Sequence, residues 1–254
     1  MTADEPPAAV SKVPEGGPEE AETARRTVIR QGLSVSTATG LYGVSFGALS
    51  VASGLSVLQT CLLSLLLFSG GSQFALIGIL GSGGTAGAAI TAASLLSTRN
   101  ALYGLQLAPS MLPAGWRRFV IAQLTIDEST AVALSEPARP LRRLGFWVTG
   151  LGVFIGWNLM TFAGARAGNA LGDPKRLGLD AAASAAFIAL LWPRLRAREP
   201  VTIAIVGAAV TTVLIPVIPP GLPVLAAAFA GALVAWFWPK RRPAEIADAG
   251  GDPG

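Results

Sequence analysis

Apolar residues run almost without interruption through two long stretches of this chain. From Gln31 to Thr98 there is no Asp, Glu, Lys or Arg, and from Val201 to Pro239 there is none either. Runs of that length far exceed the roughly 20 residues that span a hydrocarbon core. Cut at their turn signals, the apolar regions predict helices over Gln31–Gly54, Thr60–Leu80, Ala88–Ala108, Leu144–Ala165 and Leu177–Leu191. A hairpin of Val201–Ile218 and Leu222–Trp238 follows around Pro219-Pro220-Gly221. The segments are solidly apolar and do not alternate, which disfavours a β-barrel. The expected fold class is all-α, a polytopic membrane helical bundle of seven or eight transmembrane segments.

One stretch resists assignment. Phe119–Ser135 (FVIAQLTIDESTAVALS) is apolar at both ends but carries Asp127 and Glu128 side by side near its middle. Outside the membrane it is a short helix in a long loop; inside, it takes one or two carboxylates into the bilayer. Lys and Arg accumulate on the cytoplasmic side of membrane proteins, which separates the two arrangements. With a crossing here, eight segments place thirteen basic residues inside: Lys12, Arg25, Arg26 and Arg30, then those of 139–143, 194–198 and 240–242. Four lie outside, Arg117, Arg118, Lys175 and Arg176. Without it, seven segments divide them eleven to six. The larger asymmetry favours eight segments with both termini cytoplasmic, the stretch being a crossing or a re-entrant equivalent. Its polar residues crowd together over Thr125–Thr130 and do not form the stripe of an interfacial helix.

Composition narrows the function classes. Hydrophobic residues make up 52% of the 254 and charged ones 13%. The net charge of +4 gathers at segment ends, so no nucleic-acid partner is implied. There is no histidine, which excludes a His-ligated zinc site or a His-based triad, and the lone Cys61 excludes a disulfide framework. No catalytic residue, metal or cofactor is expected, and no GxxxxGK[ST] motif supplies an ATP-driven motor. Residues 1–24, rich in Pro and Glu, and 243–254 read as disordered tails around a membrane domain over 25–242. The first tail lacks the apolar core of a signal peptide.

Inside the apolar segments, polar residues and glycines mark candidate chemistry. Gly40, Gly43, Gly47 and Gly54 in helix one read either as close helix packing or as a substrate path. The heptapeptide Phe68-Ser69-Gly70-Gly71-Ser72-Gln73-Phe74 predicts an interruption of helix two at Gly70-Gly71. There, freed backbone groups either line a site or pack tightly, with Gln73 bonded to a neighbour. Arg99 lies near the centre of helix three, too deep to reach either surface, and needs a partner in the bundle interior. Asn100 and Tyr103 follow it, and Trp157-Asn158 occupies the middle of helix five.

Together these pieces resemble the AzlC family of branched-chain amino-acid permeases. The likeness is carried by Gly43-Val-Ser-Phe-Gly47, the heptapeptide Phe68–Phe74, Arg99-Asn-Ala-Leu-Tyr103, Leu124-Thr-Ile-Asp-Glu128 and Gly156-Trp-Asn158. It implies a multi-pass protein of the cytoplasmic membrane that moves branched-chain amino acids, typically outward. It also implies pairing with a small, separately encoded, hydrophobic AzlD-like subunit. The family pattern at the acidic pair is closer to Leu-Thr-Asp-Glu, so Ile126 leaves the register of Asp127 and Glu128 open.

On that reading the substrate is a zwitterion with an aliphatic side chain. Arg99 and backbone N–H groups near Gly70, Gly71, Ser72 and Gln73 receive its carboxylate. Asp127 or Glu128 faces its ammonium or carries a coupling proton. Phe46, Phe74 and Trp157 contact the side chain, and Asn100 and Asn158 complete the set. The competing reading is a non-transporting structural or assembly subunit.

Overall fold

A computed structural model describes residues 17–111, 115–170, 188, 192, 195–218 and 222–238, and all regular structure among them is helical. The helices are α1 (Pro18–Ala52), α2 (Val57–Leu66), α3 (Gly70–Gly81), α4 (Ala86–Met111), α5 (Arg117–Leu124), α6 (Asp127–Leu134) and α7 (Arg139–Ala170). Two more, α8 (Arg198–Leu214) and α9 (Leu222–Phe237), complete the set.

α1 starts inside the stretch that composition assigns to a disordered tail. Pro18 stands in its first turn with Glu19 and Glu20, a proline that suits the N1 position and two carboxylates that suit the positive helix end. Glu22 also pairs with Arg26 one turn on, at 2.9 Å. Local chemistry outweighs composition there.

α1 and α7 form a parallel scaffold. Gly32 faces Val148 and Thr149, Gly40 faces Gly156, Gly43 faces Trp157, and Gly47 faces Thr161 and Ala165. The partner number rises with the glycine number, so the two helices run in the same direction. Backbone touches backbone along this line. A Cβ on Gly43 would stand 2.5 Å from the Trp157 carbonyl oxygen, and one on Gly47 2.6 Å from the Ala165 nitrogen. Gly40, Gly43 and Gly47 are packing residues, while Gly54 lies past the end of α1 at φ 94° with nothing within 4 Å of its Cβ position.

Two hairpins of broken helix enter this frame from opposite ends. α2 begins at the distal end, where α1 finishes, and runs inward along α7, with Ser64 Oγ 3.4 Å from Thr161 Oγ1. The chain leaves the helix over Leu67–Ser69, and α3 turns back. Gln73 Nε2 donates to the Ser64 carbonyl at 3.4 Å, and Gly81 returns to the distal end against Ser53. The segment read as helix two is therefore two helices, α2 and α3, that fold back on each other. Its break falls just ahead of Gly70-Gly71, which open the next helix.

α4 then runs the full depth, antiparallel to α3. Ser97 donates to Ser72 at 2.9 Å, and Ile79 packs on Ala89 and Ala92. Its C-terminus reaches the proximal end, where α1 and α7 start. There Arg142 Nη1 donates to Ser110 Oγ at 2.9 Å and Arg143 Nε to the Ser110 carbonyl at 2.7 Å.

α5 re-enters from that proximal end until Leu124 meets Gly150 of α7. After the extended pair Thr125–Ile126, α6 goes back, with Val132 against Gly145 and Gly145 in turn against Val28. Phe119–Ser135 is thus two short helices that fold back on each other. The crowded polar residues form its tip. Ser129 Oγ donates to the Leu124 carbonyl at 2.6 Å and accepts from Ile126 N–H at 3.1 Å, and Thr125 Oγ1 donates to the Ile121 carbonyl at 2.7 Å. These bonds satisfy backbone groups that the two helix ends leave open.

The same unit, a broken hairpin followed by a long helix, therefore occurs twice in inverted orientation, as α2–α3–α4 and α5–α6–α7. α8 and α9 pair with each other, Gly231 against Ile203, and Leu225 packs beside Ile79 and Ala89. The Leu177–Leu191 segment lies outside the described residues apart from Ile188.

Replacing Gly47 or Gly164 by Leu pushes a side chain into the facing backbone and is expected to cost about 1–3 kcal/mol or more. Gly104→Ala, with nothing within 4 Å, is expected to be neutral or stabilising by about 0.5–1 kcal/mol. Monodispersity and thermal melting of the purified variants check both; a tolerated Gly47→Leu would break the scaffold assignment.

Candidate functional site

The two hairpin tips meet beside Arg99. Helical rise puts this residue about 19 Å from either end of α4, so its charge is at mid-depth. Arg99 Nη1 lies 2.8 Å from Asp127 Oδ2, the first residue of α6. On its other side, Nη2 would stand 3.2 Å from a Cβ on Gly71, in the first turn of α3. The guanidinium thus sits between the N-termini of two half-helices. Gly71 is there for space and not for backbone freedom. The described glycines with positive φ are Gly54, Gly83 and Gly115, all in connections between helices.

Each helix N-terminus presents unbonded N–H groups and a partial positive charge. Two such ends and one guanidinium converge here, against Asp127 and its neighbour Glu128, both half-buried in the first turn of α6. A centre of this kind accepts an anionic group at its α3 side and keeps a carboxylate at its α6 side.

A polar lining surrounds the pair. Ser72 Oγ accepts from Ser97 and lies 3.1 Å from Ser69 Oγ. Gln73 is fully buried. Its Oε1, Asn100 Oδ1, Arg99 Nε and Trp157 Nε1 have no hydrogen-bond partner among the described residues. These are two donors and two acceptors.

Phe46, Phe74 and Trp157, expected to meet an aliphatic side chain, are buried to 0%, 1% and 4% exposure. Their ring centroids are 5.7 to 6.2 Å apart, so they fill one another's space as a closed wall. The indole of Trp157 would touch a Cβ on Gly70 at 3.5 Å, which sets that wall against the α3 terminus. Asn158 turns to its own helix and donates to the Phe154 carbonyl at 2.8 Å.

Two residues of the centre escape the sequence reading. Ser97 is one of a run of small polar residues in α4 and carries no separate signal. Gln123 does carry one, as a lone amide between Ala122 and Leu124. Its Nε2 donates to the Leu65 carbonyl at the tip of α2, at 2.8 Å. An open acidic groove lined by Glu19, Glu20 and Glu136 lies at the proximal end, away from this centre.

Comparison with protein families finds one match. The family model described as AzlC protein aligns with residues 34–171, from the middle of α1 to the end of α7. Both hairpins, the ion pair and the scaffold from residue 34 onward fall within it. No curated protein and no solved structure matches the chain.

Removing one partner of the Arg99–Asp127 pair leaves the other charge at mid-depth without this bond, whereas removing both takes the bond and its two charges away together. Arg99→Met and Asp127→Leu are each expected to lower the melting temperature more than the double substitution does. Additive losses in the double variant would show that the pair carries no coupling.

Proposed function

The chain belongs to the AzlC family, whose members serve membrane transport, and from that premise we propose a secondary transporter of branched-chain or similar small apolar amino acids. The observation that carries this reading is Arg99, 2.8 Å from Asp127 and wedged between two half-helix N-termini at mid-depth. Through-helices keep their charged ends at the membrane surfaces. Half-helix ends at the midplane recur in transporters, where they bind charged groups of the substrate.

The substrate's carboxylate goes to Arg99 and the first N–H groups of α3, at Gly70, Gly71 and Ser72. Asp127, with Glu128 beside it, takes the ammonium or a coupling proton. Gln73 on the α3 side and Asn100 beside Arg99 offer further polar groups, and the Phe46–Phe74–Trp157 wall bounds the aliphatic part. Asn158 stands behind that wall.

The membrane placement has the proximal end in the cytoplasm, with both chain termini there. Among the described residues, Arg25, Arg26, Arg30, Arg117, Arg118, Arg139, Arg142, Arg143, Arg196 and Arg198 belong to the proximal ends of helices. Arg166 alone stands near the distal end of one. That asymmetry exceeds what eight straight crossings give, because the α5–α6 hairpin returns Arg117 and Arg118 to the cytoplasmic side. On that placement α1, α4, α7, α8 and α9 cross and the two hairpins re-enter. Irregular backbone at this depth is tolerated where protein or a cavity surrounds it.

A small hydrophobic AzlD-like subunit completes the assembly. The side chains of Arg99 and Asp127 remain 31% and 23% exposed in the single chain. A charged pair at mid-depth calls for cover other than lipid.

Reconstituted with such a partner, the chain is expected to exchange valine and leucine across vesicle membranes. Arg99→Ala and Asp127→Asn each remove a charge-assisted hydrogen bond and should lower flux about ten- to hundredfold. Wild-type flux in both variants would sink the site. Flux no greater than in empty vesicles would leave an assembly subunit instead. For the topology, cysteines replacing Trp116 and Arg139 should react with an impermeant reagent from the cytoplasmic side, and one replacing Ser82 from the opposite side. Trp116 and Arg139 labelled from different sides would restore the crossing.

A further inference from the structure

We propose that Gln123 is a latch shared by the two hairpins, holding the central site closed toward both faces at once. The inference rests on the transporter reading for its purpose, and on the proposed membrane placement together with the geometry for its existence.

The Leu63 carbonyl accepts from the capping Leu67 N–H at 2.9 Å, and the carbonyls after it, at residues 64–66, have no partner within their own helix. At mid-depth there is no bulk water to bond them, and an unsatisfied backbone group there costs several kcal/mol. The Ser64 carbonyl receives Gln73, from the returning arm of its own hairpin. The Leu124 carbonyl at the other tip receives Ser129, again from its own hairpin. The Leu65 carbonyl differs. Its donor is Gln123 Nε2, 58 residues away on the hairpin that enters from the opposite end.

This bond makes each tip depend on the other. Withdrawal of α2–α3 toward the distal face strips the amide of its acceptor. Withdrawal of α5–α6 toward the proximal face strips the carbonyl of its donor. Either opening breaks the same bond, so it stabilises only the arrangement in which both tips are in place. Arg99 touches both tips as well, through Gly71 and Asp127, but on the proposed reading its contacts are exchanged for substrate. Gln123 contacts neither the ion pair nor the aromatic wall in any bond described here. Its role is positional.

The test reads hairpin movement without any transported molecule. Ser69 and Thr125, at the two tips, are 4% and 2% exposed. Each is replaced by Cys in a Cys61→Ser background, the protein is placed in lipid nanodiscs, and the labelling rate with a water-soluble maleimide is measured. Gln123→Met removes the donor at similar volume, and Gln123→Leu does so with a different shape, should the first variant fold poorly. The expected result is that both reporters label about tenfold faster, the effect of losing one hydrogen bond. A third reporter, Val153→Cys in the α1–α7 scaffold, should stay protected. Acceleration at Thr125 alone would reduce Gln123 to a local cap, and acceleration at all three would mean general loosening; either overturns the latch, as does no change. Absent amino-acid flux in the wild type would sink the transport reading without touching this outcome.

Discussion

A guanidinium held at mid-depth between two helix N-termini is the constraint that shapes this molecule. Placing a charge there costs about 3 kcal/mol on insertion scales, and two positive helix ends add to the cost. Asp127 offsets part of it at 2.8 Å, and the missing Cβ of Gly71 leaves the room. No bundle of straight helices brings two N-termini to the centre, because helices that cross put their ends at the surfaces. Two hairpins, one from each side, do. The electrostatic centre and the broken topology are one requirement.

Broken helices then create their own demand, since every carbonyl freed at a tip must find a donor. Gln73, Gln123, Thr125 and Ser129 each serve one. The polar side chains of the hairpins are therefore partly structural, spent on backbone that water would satisfy in a soluble protein. The α1–α7 pair stands in contrast. Its glycines and Ser36 bring two backbones into contact with hardly a space for a methyl group. One part of the molecule is fixed by sterics and the other by a small number of hydrogen bonds, which is how a rigid frame can carry movable parts.

Much of this was legible. A lone Arg in an uncharged helix must find a carboxylate, and the nearest apolar stretch with carboxylates was Phe119–Ser135; Arg99 and Asp127 pair. The Ser-Gly-Gly-Ser-Gln run marked a break to within a few residues. What hydropathy could not tell was direction. The α2–α3 stretch, residues 57–81, is as long and as apolar as one crossing helix, because a hairpin to mid-depth and back uses the same number of residues as one passage. Counting charges on the assumption that every apolar run crosses put Arg117 and Arg118 on the wrong end of the bundle. The glycines of helix one showed the opposite failing. Their spacing allowed packing or a path, and only the facing residues on α7, more than 100 positions away, decided it.

The inverted units share a shape but not a chemistry, and the difference is informative. The α3 tip begins Gly-Gly-Ser-Gln, neutral, with N–H groups and no acid. The α6 tip begins Asp-Glu-Ser-Thr, with two carboxylates in the same position. Symmetric tips would bind a symmetric ligand or none. A neutral donor end set against an acidic end, with one guanidinium between them, matches a molecule carrying opposite charges a few ångströms apart. The aromatic wall lies on the neutral side only, against Gly70. On the proposed reading a zwitterion lies with its carboxylate toward the hairpin from the distal face and its ammonium toward the hairpin from the proximal face. Opening either hairpin removes one of the two charge partners, so on the proposed reading release toward each face begins with a different end of the same molecule.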